Sequence, residues 1–126
     1  MAQRRILLAE DNEINSEITK ELLEENGYVV DTVDNGADAV KAVEESESGY
    51  YFLVLMDIQM PFMDGYEATA RIRELKDSVN SSIPIFAMTA NAFDKDRQAS
   101  YAAGMNEHLV KPIDVDNLMN TIEKYI

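Results

Sequence analysis

Short apolar runs bounded by breakers alternate along the chain with stretches whose apolar residues recur every three or four positions. Arg5 to Ala9 reads as a strand, with Glu10 and Asp11 at its end. Asn12 can cap a helix over Glu13 to Asn26, and the four-residue spacing of Ile14, Ile18 and Leu22 places them on one face of it. Gly27 suits the position just past that helix. Tyr28 to Val33 reads as a second strand, and Asp34 or Asn35 caps a second helix with Ala39, Val40 and Val43 inward, running to about Glu45. After a polar loop at Glu47-Ser48-Gly49 comes Phe52-Leu53-Val54-Leu55-Met56, which stops at Asp57. An apolar run of that length between breakers predicts a strand buried on both faces.

Ile58-Gln59-Met60-Pro61-Phe62-Met63 then reads as a loop, closed by Asp64-Gly65. Asp64 opens a third helix with Glu67 three residues on, the capping-box spacing, and with Ala68, Ile72 and Leu75 inward. Asp77 to Ser82 is expected to be a loop, and Ile83 to Met88 a fourth strand ending at Thr89. The fourth helix, about Phe93 to Ala103, has the weakest apolar stripe, since alanine dominates it and Asp94 to Gln98 are all polar; it is expected to be the most easily displaced. Gly104 ends it. Glu107 to Val110 is a short fifth strand leading to Lys111-Pro112, and Asp114 caps a last helix with Val115, Leu118, Met119 and Ile122 inward.

Five strand–helix units in succession imply an α/β fold, a parallel sheet with helices on both faces joined by right-handed crossovers. No repeat, low-complexity segment or linker divides the chain, so residues 1–126 are expected to form one domain. A carboxylate at the C-terminal tip of a central strand, as at Asp57, lies where open α/β sheets keep their chemistry.

Composition narrows the functions open to such a fold. The formal net charge of −13 repels nucleic-acid phosphates, so direct contact with DNA or RNA is not expected. No run approaches the ~18 apolar residues of a membrane span, and Ile6 to Ala9 is too short for a signal peptide. The chain is read as cytoplasmic, and the absence of cysteine fits that compartment.

Glu10 and Asp11 follow the first strand and Asp57 ends the third. In a doubly wound sheet those strands can be neighbours, which would bring the three acids together. Close carboxylates raise one another's pKa, and a divalent cation relieves the repulsion. With no Cys and one His, all-oxygen ligation points to Mg²⁺ or Mn²⁺. Lys111 ends the fifth strand and could neutralise a phosphoryl oxygen; a cis bond before Pro112 would turn the chain and aim it inward. Thr89 could donate its hydroxyl to the same anion. Gln59 and Asn91 lie two residues beyond Asp57 and Thr89 and could border the site. In these surroundings Asp57 is a candidate nucleophile, and attack on phosphorus would give an aspartyl phosphate.

Glu10-Asp11, MDIQMPFMDG, Thr89-Ala90 and Lys111-Pro112 together resemble the receiver domain of two-component response regulators, in order and over nearly the whole chain. ILLAEDNEINSEI and GMNEHLVKPI look like receivers of hybrid sensor histidine kinases in particular. The resemblance implies a flavodoxin-like fold with strand order 2-1-3-4-5. It implies that Asp57 accepts a phosphoryl group from a phosphohistidine on a histidine kinase or histidine phosphotransfer domain, in two-component signalling or a phosphorelay. Asp11, Asp57 and the backbone carbonyl of Gln59 would ligate Mg²⁺ directly, Glu10 mostly through water, and Thr89 and Lys111 would bind the phosphoryl oxygens. Such a domain catalyses its own phosphorylation and slow dephosphorylation and signals to an output domain in cis or in trans. In the family's switch, Thr89 moves toward the phosphoryl group and an aromatic residue three before the Lys turns inward. That residue here is His108, where many members have Tyr or Phe. The face expected to respond is built from the fourth helix, fifth strand and fifth helix.

Other readings of an Asp at a strand end fit less well. A haloacid-dehalogenase-type phosphohydrolase would show D-x-D, whereas here Gln59 stands at the second position, and 126 residues leave no room for a cap domain. A flavodoxin-like cofactor binder would need a Ser/Thr/Gly-rich loop where Glu10-Asp11 stand. A degenerate receiver acting only as a docking module would not be expected to keep all five key residues.

Overall fold

The computed structural model describes residues 4–90 and 94–126, with Asp94 described by its backbone alone. Within these residues the order is β1 (Arg5–Ala9), α1 (Glu13–Glu25), β2 (Val29–Val33), α2 (Gly36–Glu45), β3 (Leu53–Asp57), α3 (Gly65–Arg73), α4 (Ser78–Ser81), β4 (Ile85–Thr89), α5 (Asp94–Ala103), β5 (Glu107–Val110) and α6 (Val115–Glu123). The strands form one parallel sheet in the order β2-β1-β3-β4-β5.

Both faces of the sheet are covered, and the central strands show why their sequences are unbroken apolar runs. Alternate residues of a strand point to opposite faces. Leu7, Ala9, Val54, Met56, Ile85 and Ala87 face a core closed by Ala39 and Val43 of α2 and Ala68 and Ile72 of α3. Ile6, Leu8, Leu53, Leu55, Phe86 and Met88 face a second core closed by Leu23 of α1 and by Leu118 and Ile122 of α6. Every residue of β3 and β4 is buried, including the polar ends Asp57 and Thr89.

Helix starts follow their caps. The side chains of Asn12, Asn35, Asp64, Asp77 and Asp114 each accept a backbone N–H of the first turn. Glu67 does not complete a capping box; its carboxylate instead meets Arg71 one turn on, at 3.2 Å.

The inward residues of α1 are Thr19 and Leu23, whereas the one-face stripe of Ile14, Ile18 and Leu22 is 68% exposed at Ile14, 53% at Ile18 and half-buried at Leu22. Four-residue spacing marks a stripe without saying what it faces, and a threonine within the true inward stripe conceals it. Two expectations need correction. Asp77 to Ser82 is not all loop, because the Asp77 carboxylate accepts from the N–H groups of Val79 and Asn80 and closes a one-turn helix. The fourth strand begins at Ile85 instead of Ile83, since the Ile83 N–H is taken by the Asn80 carbonyl and Pro84 has none. The expected helix start at Phe93 and the expected site neighbour Asn91 lie outside the described residues.

Candidate functional site

The neighbouring β1 and β3 run in register from Ile6 opposite Leu53 to Ala9 opposite Met56, so the residues that follow each strand emerge side by side. Glu10 and Asp11 follow β1 and Asp57 ends β3. One carboxylate oxygen from each of the three lies within 4.8 Å of the others. Glu10 and Asp57 are 4% and 6% exposed, while Asp11 faces solvent. The first β–α turn is held by the Glu10 carboxylate, which accepts the N–H of Asn12 at 3.2 Å.

Lys111 enters from β5, on the far side of β4. Its main-chain N–H donates to the Thr89 carbonyl at 2.7 Å, and the Lys111–Pro112 bond is cis. The Lys111 ammonium donates to Glu10 Oε1 at 2.7 Å and to Asp57 Oδ2 at 3.0 Å, an ion-paired bridge that joins the ends of β1, β3 and β5. Burial works against the Lys111 ammonium, but its hydrogen bonds to Glu10 and Asp57 outweigh that, and its pKa is pushed up. Burial first, and then the neighbouring Asp57 carboxyl, push the Glu10 carboxyl above its ordinary value, against the opposing pull of Lys111 and the Asn12 N–H.

Gln59 follows Asp57 in the loop, and its N–H donates to Asp57 Oδ1 at 3.3 Å. Thr89, at the tip of β4, is 7% exposed. Glu10, Asp11, Asp57, Gln59, Thr89 and Lys111 all line one cleft of about 230 Å³ at the C-terminal edge of the sheet. His108 lies apart from this cleft, two residues back along β5 from Val110, which pairs with Thr89. Asn12, Asn15 and Ala90 also line the cleft; in the sequence Asn12 reads only as a helix cap and nothing marks Asn15, whose N–H is the one that Asn12 caps.

Two glycines let the loop after β3 lie close to the helices that flank it. A Cβ on Gly65 would sit 2.4 Å from the Asp57 carbonyl oxygen, and one on Gly36 would sit 2.2 Å from the Met63 carbonyl oxygen. The Gly36 and Gly65 N–H groups bond to Met63 and Ile58 carbonyls at 3.0 and 2.8 Å, which fixes the loop from both sides. Its tip is a turn closed by Met63 N–H to Pro61 C=O at 2.7 Å, with Phe62 at φ +69° and 92% exposed.

The donor set fits a hard divalent cation. Its oxygens come from three carboxylates whose nearest atoms gather within 4.8 Å, and hard cations such as Mg²⁺ take all-oxygen ligands. Three clustered acids, two of them held by the Lys111 ammonium, are also the surroundings in which a carboxylate can attack an electrophilic phosphorus.

The family model for the response regulator receiver domain matches residues 6–123. Hybrid signal transduction histidine kinase B of Dictyostelium discoideum is 44% identical over 97% of the chain, and the sensor protein GacS of Pseudomonas syringae pv. syringae is 39% identical over 96%. The chain spans 7% of the first of these proteins and 13% of the second. Among solved structures, the receiver domain of a sensor histidine kinase from Pseudomonas aeruginosa PAO1, described with a magnesium ion coordinated in its active-site cleft, is 37% identical, covers 98% of each chain and superposes with a TM-score of 0.88. A chemotaxis protein CheY4 of Vibrio cholerae, at 24% identity and a TM-score of 0.87, shares the fold. Sequence, strand order and these relatives agree, and the chain belongs to the response regulator receiver domain family.

Proposed function

We propose that Asp57 accepts a phosphoryl group from a phosphohistidine, so that the domain is a working station in a two-component pathway or phosphorelay. The observation that carries this reading is the bridge from the Lys111 ammonium to both Glu10 and Asp57 inside an acid cleft. A carboxylate oxygen of Asp57 attacks phosphorus, a P–O bond forms, and the P–N bond to the donor imidazole breaks, its electron pair staying on nitrogen. Lys111 stays beside the acceptor and takes up charge on the transferring oxygens. The Thr89 hydroxyl, at the rim of the same cleft, donates to that group after transfer.

Asp11, Asp57 and the Gln59 carbonyl would hold Mg²⁺, with Glu10 acting mostly through water. When bound, the ion supplies charge neutralisation for the acids and for the equatorial phosphoryl oxygens. Mg²⁺ is preferred to Mn²⁺ here because the P. aeruginosa relative is described with it.

The partner is a histidine kinase or histidine phosphotransfer domain, and α1 offers it a surface. Ile18 and Leu22 line a groove of about 350 Å³ with Pro112 and Ile113, and Glu10 and Lys111 stand at its edge. Ile14 continues the apolar stripe into solvent. An exposed apolar stripe beside a reactive centre suits a helical partner that must bring its imidazole to Asp57. Among the described residues no helix is long and apolar enough to cross a membrane. The domain is proposed to work in the cytoplasm, signalling to an output domain in cis or in trans through Thr89 and His108.

Incubation with Mg²⁺ and acetyl phosphate, read by intact mass, tests the chemistry. One added phosphoryl group is expected, absent in Asp57→Asn and in chelator. A label that survives Asp57→Asn rejects the assignment.

A further inference from the structure

The chain's one histidine meets a buried serine. Ser100, on α5, is 0% exposed, and its Oγ lies 3.1 Å from His108 Nδ1. The same hydroxyl donates to the Asp96 carbonyl one turn back, at 3.0 Å. A serine hydroxyl has one hydrogen. With that hydrogen on the Asp96 carbonyl, which can only accept, the Ser100 oxygen accepts from a protonated His108 Nδ1; turned to the ring, the hydroxyl donates to Nδ1 instead, so the two side chains are hydrogen-bonded in either tautomer. The contact joins α5, the helix with the thinnest apolar stripe, to β5.

The sheet register gives this contact a route to the cleft. Ala87 pairs with His108 and Thr89 with Val110 on adjacent parallel strands. Side chains two apart on a strand share a face, so His108 and Thr89 stand on the same face of the sheet, with Ala87 beside them as the smallest side chain of β4.

We propose that Ser100 is a positioning residue that latches His108, and that phosphorylation of Asp57 breaks this hydrogen bond and frees α5 from β5. The inference rests on the proposed phosphorylation but is tested apart from it. Thr89 moving toward the phosphoryl group opens space beside Ala87. His108 can fill that space only by rotating its Nδ1 away from Ser100. The latch therefore opposes the switch, and its removal should partly release α5 without any phosphoryl group.

A single histidine makes the test direct, because its ring ¹⁵N signals need no assignment. Long-range ¹H–¹⁵N spectra of the unphosphorylated chain record the latched ring. After acetyl phosphate and Mg²⁺, with the added mass verified, the ring signals should shift and amide exchange across 95–103 should quicken. Ser100→Ala should shift the ring signals without phosphodonor and speed that exchange about fivefold, the loss of one ordinary hydrogen bond. His108→Phe should quicken exchange to the same extent, and the double variant no further. A Ser100→Ala ring spectrum identical to the parent's, or additive exchange in the double variant, overturns the latch. Failure to gain mass rejects the phosphoacceptor reading instead, and the Ser100→Ala and double-variant results still decide the latch.

Discussion

The Lys111 ammonium lies 3.0 Å from Asp57 Oδ2 while it also holds Glu10, so one cation balances two buried carboxylates that adjoin across β1 and β3. Removing it leaves two like charges together with little water to screen them. Lys111→Met is expected to lower unfolding stability by about 1–2 kcal/mol in chelator, below the cost of breaking a fully buried pair because the lysine is partly exposed. Millimolar Mg²⁺ should restore part of the loss, and acetyl phosphate labelling should slow by at least tenfold, about 1.4 kcal/mol of barrier. Urea titrations with and without Mg²⁺ check the first claim and time-resolved intact mass the second.

Glu10 sets an acid-side dependence whose sign follows from its raised pKa. Burial and then the adjoining Asp57 carboxyl favour its neutral form in the folded chain. The stability tied to that raised value is fully present below the unfolded value of 4.5 and is lost as pH rises through the folded one. In chelator at pH 7, Glu10→Gln should therefore unfold at higher urea than the parent, and the gap should close as the parent's Glu10 takes up its proton. Cation binding must displace that proton, so Mg²⁺ affinity should fall as pH drops toward the same range and fall less steeply in Glu10→Gln. Calorimetric titrations across pH 4 to 8 read both; an Mg²⁺ affinity independent of pH would remove Glu10 from the cation site.

Gly65 is required for space. A Cβ there meets backbone atoms of Asp57 and Ile58 at 2.4 to 3.1 Å, and backbone cannot step aside as the end of a side chain can. Gly65→Ala should cost about 2–3 kcal/mol and slow Asp57 labelling, because α3 must back away from the acceptor strand. Gly27→Ala is the control, since its φ is +92° but nothing lies within 4 Å. It should cost about 1 kcal/mol of backbone strain and leave labelling unchanged. Equal labelling rates for the two variants would separate the Gly65 contact from the chemistry.

The sheet was legible because strands buried on both faces must be continuously apolar, and β1, β3 and β4 are. The acid cluster was legible for a related reason: Glu10-Asp11 and Asp57 stop apolar runs abruptly, and parallel topology puts such stops at one edge. The inward face of α1 was not legible. Ile14, Ile18 and Leu22 form a more apolar stripe than Thr19 and Leu23, yet the sheet takes the second and leaves the first largely to solvent. Periodicity finds a stripe, and only the packed structure says which stripe is core. Ser100 carried no signal at all, since a serine amid alanines on a polar helix is indistinguishable from surface until His108 is seen beside it.

That exposed stripe makes its own prediction. Ile14→Ser and Ile18→Glu alter residues that already face water, so each should change stability by no more than about 0.5 kcal/mol. Neither touches Asp57, so labelling by acetyl phosphate should match the parent's. Transfer from a phosphorylated histidine phosphotransfer domain that labels the parent should slow tenfold or more, the loss of one interface anchor of about 1.4 kcal/mol. Equal slowing with both donors would mean that the variants disturb the acceptor itself and that α1 is not the docking face.

Arg73 holds together the region behind the fourth and fifth strands. From the end of α3 its guanidinium donates to the carbonyls of Ser81, Ile83 and Gly104 and to Asn106 Oδ1, at 2.7 to 3.0 Å. Asn106 Oδ1 in turn accepts the Ile85 N–H that opens β4. All these acceptors are neutral, and although burial lowers the Arg73 pKa, a guanidinium in a protein keeps its proton, so its hydrogen bonds are charge-assisted. A lysine has three donors on a single nitrogen and cannot span carbonyls on the two separate loops that the planar fork reaches. Arg73→Lys should therefore cost about 2 kcal/mol, discounted for the partial exposure of the group. Arg73→Ala should cost more, because Gly104 and Ile83 carbonyls then lose their partner outright. Hydrogen exchange at Ile85 and Asn106 should quicken in both variants while exchange in β1 and β2 stays at the parent rate relative to global unfolding. Uniform acceleration across the sheet would mean that Arg73 contributes only bulk stability and does not tie the α3 end to the start of β4.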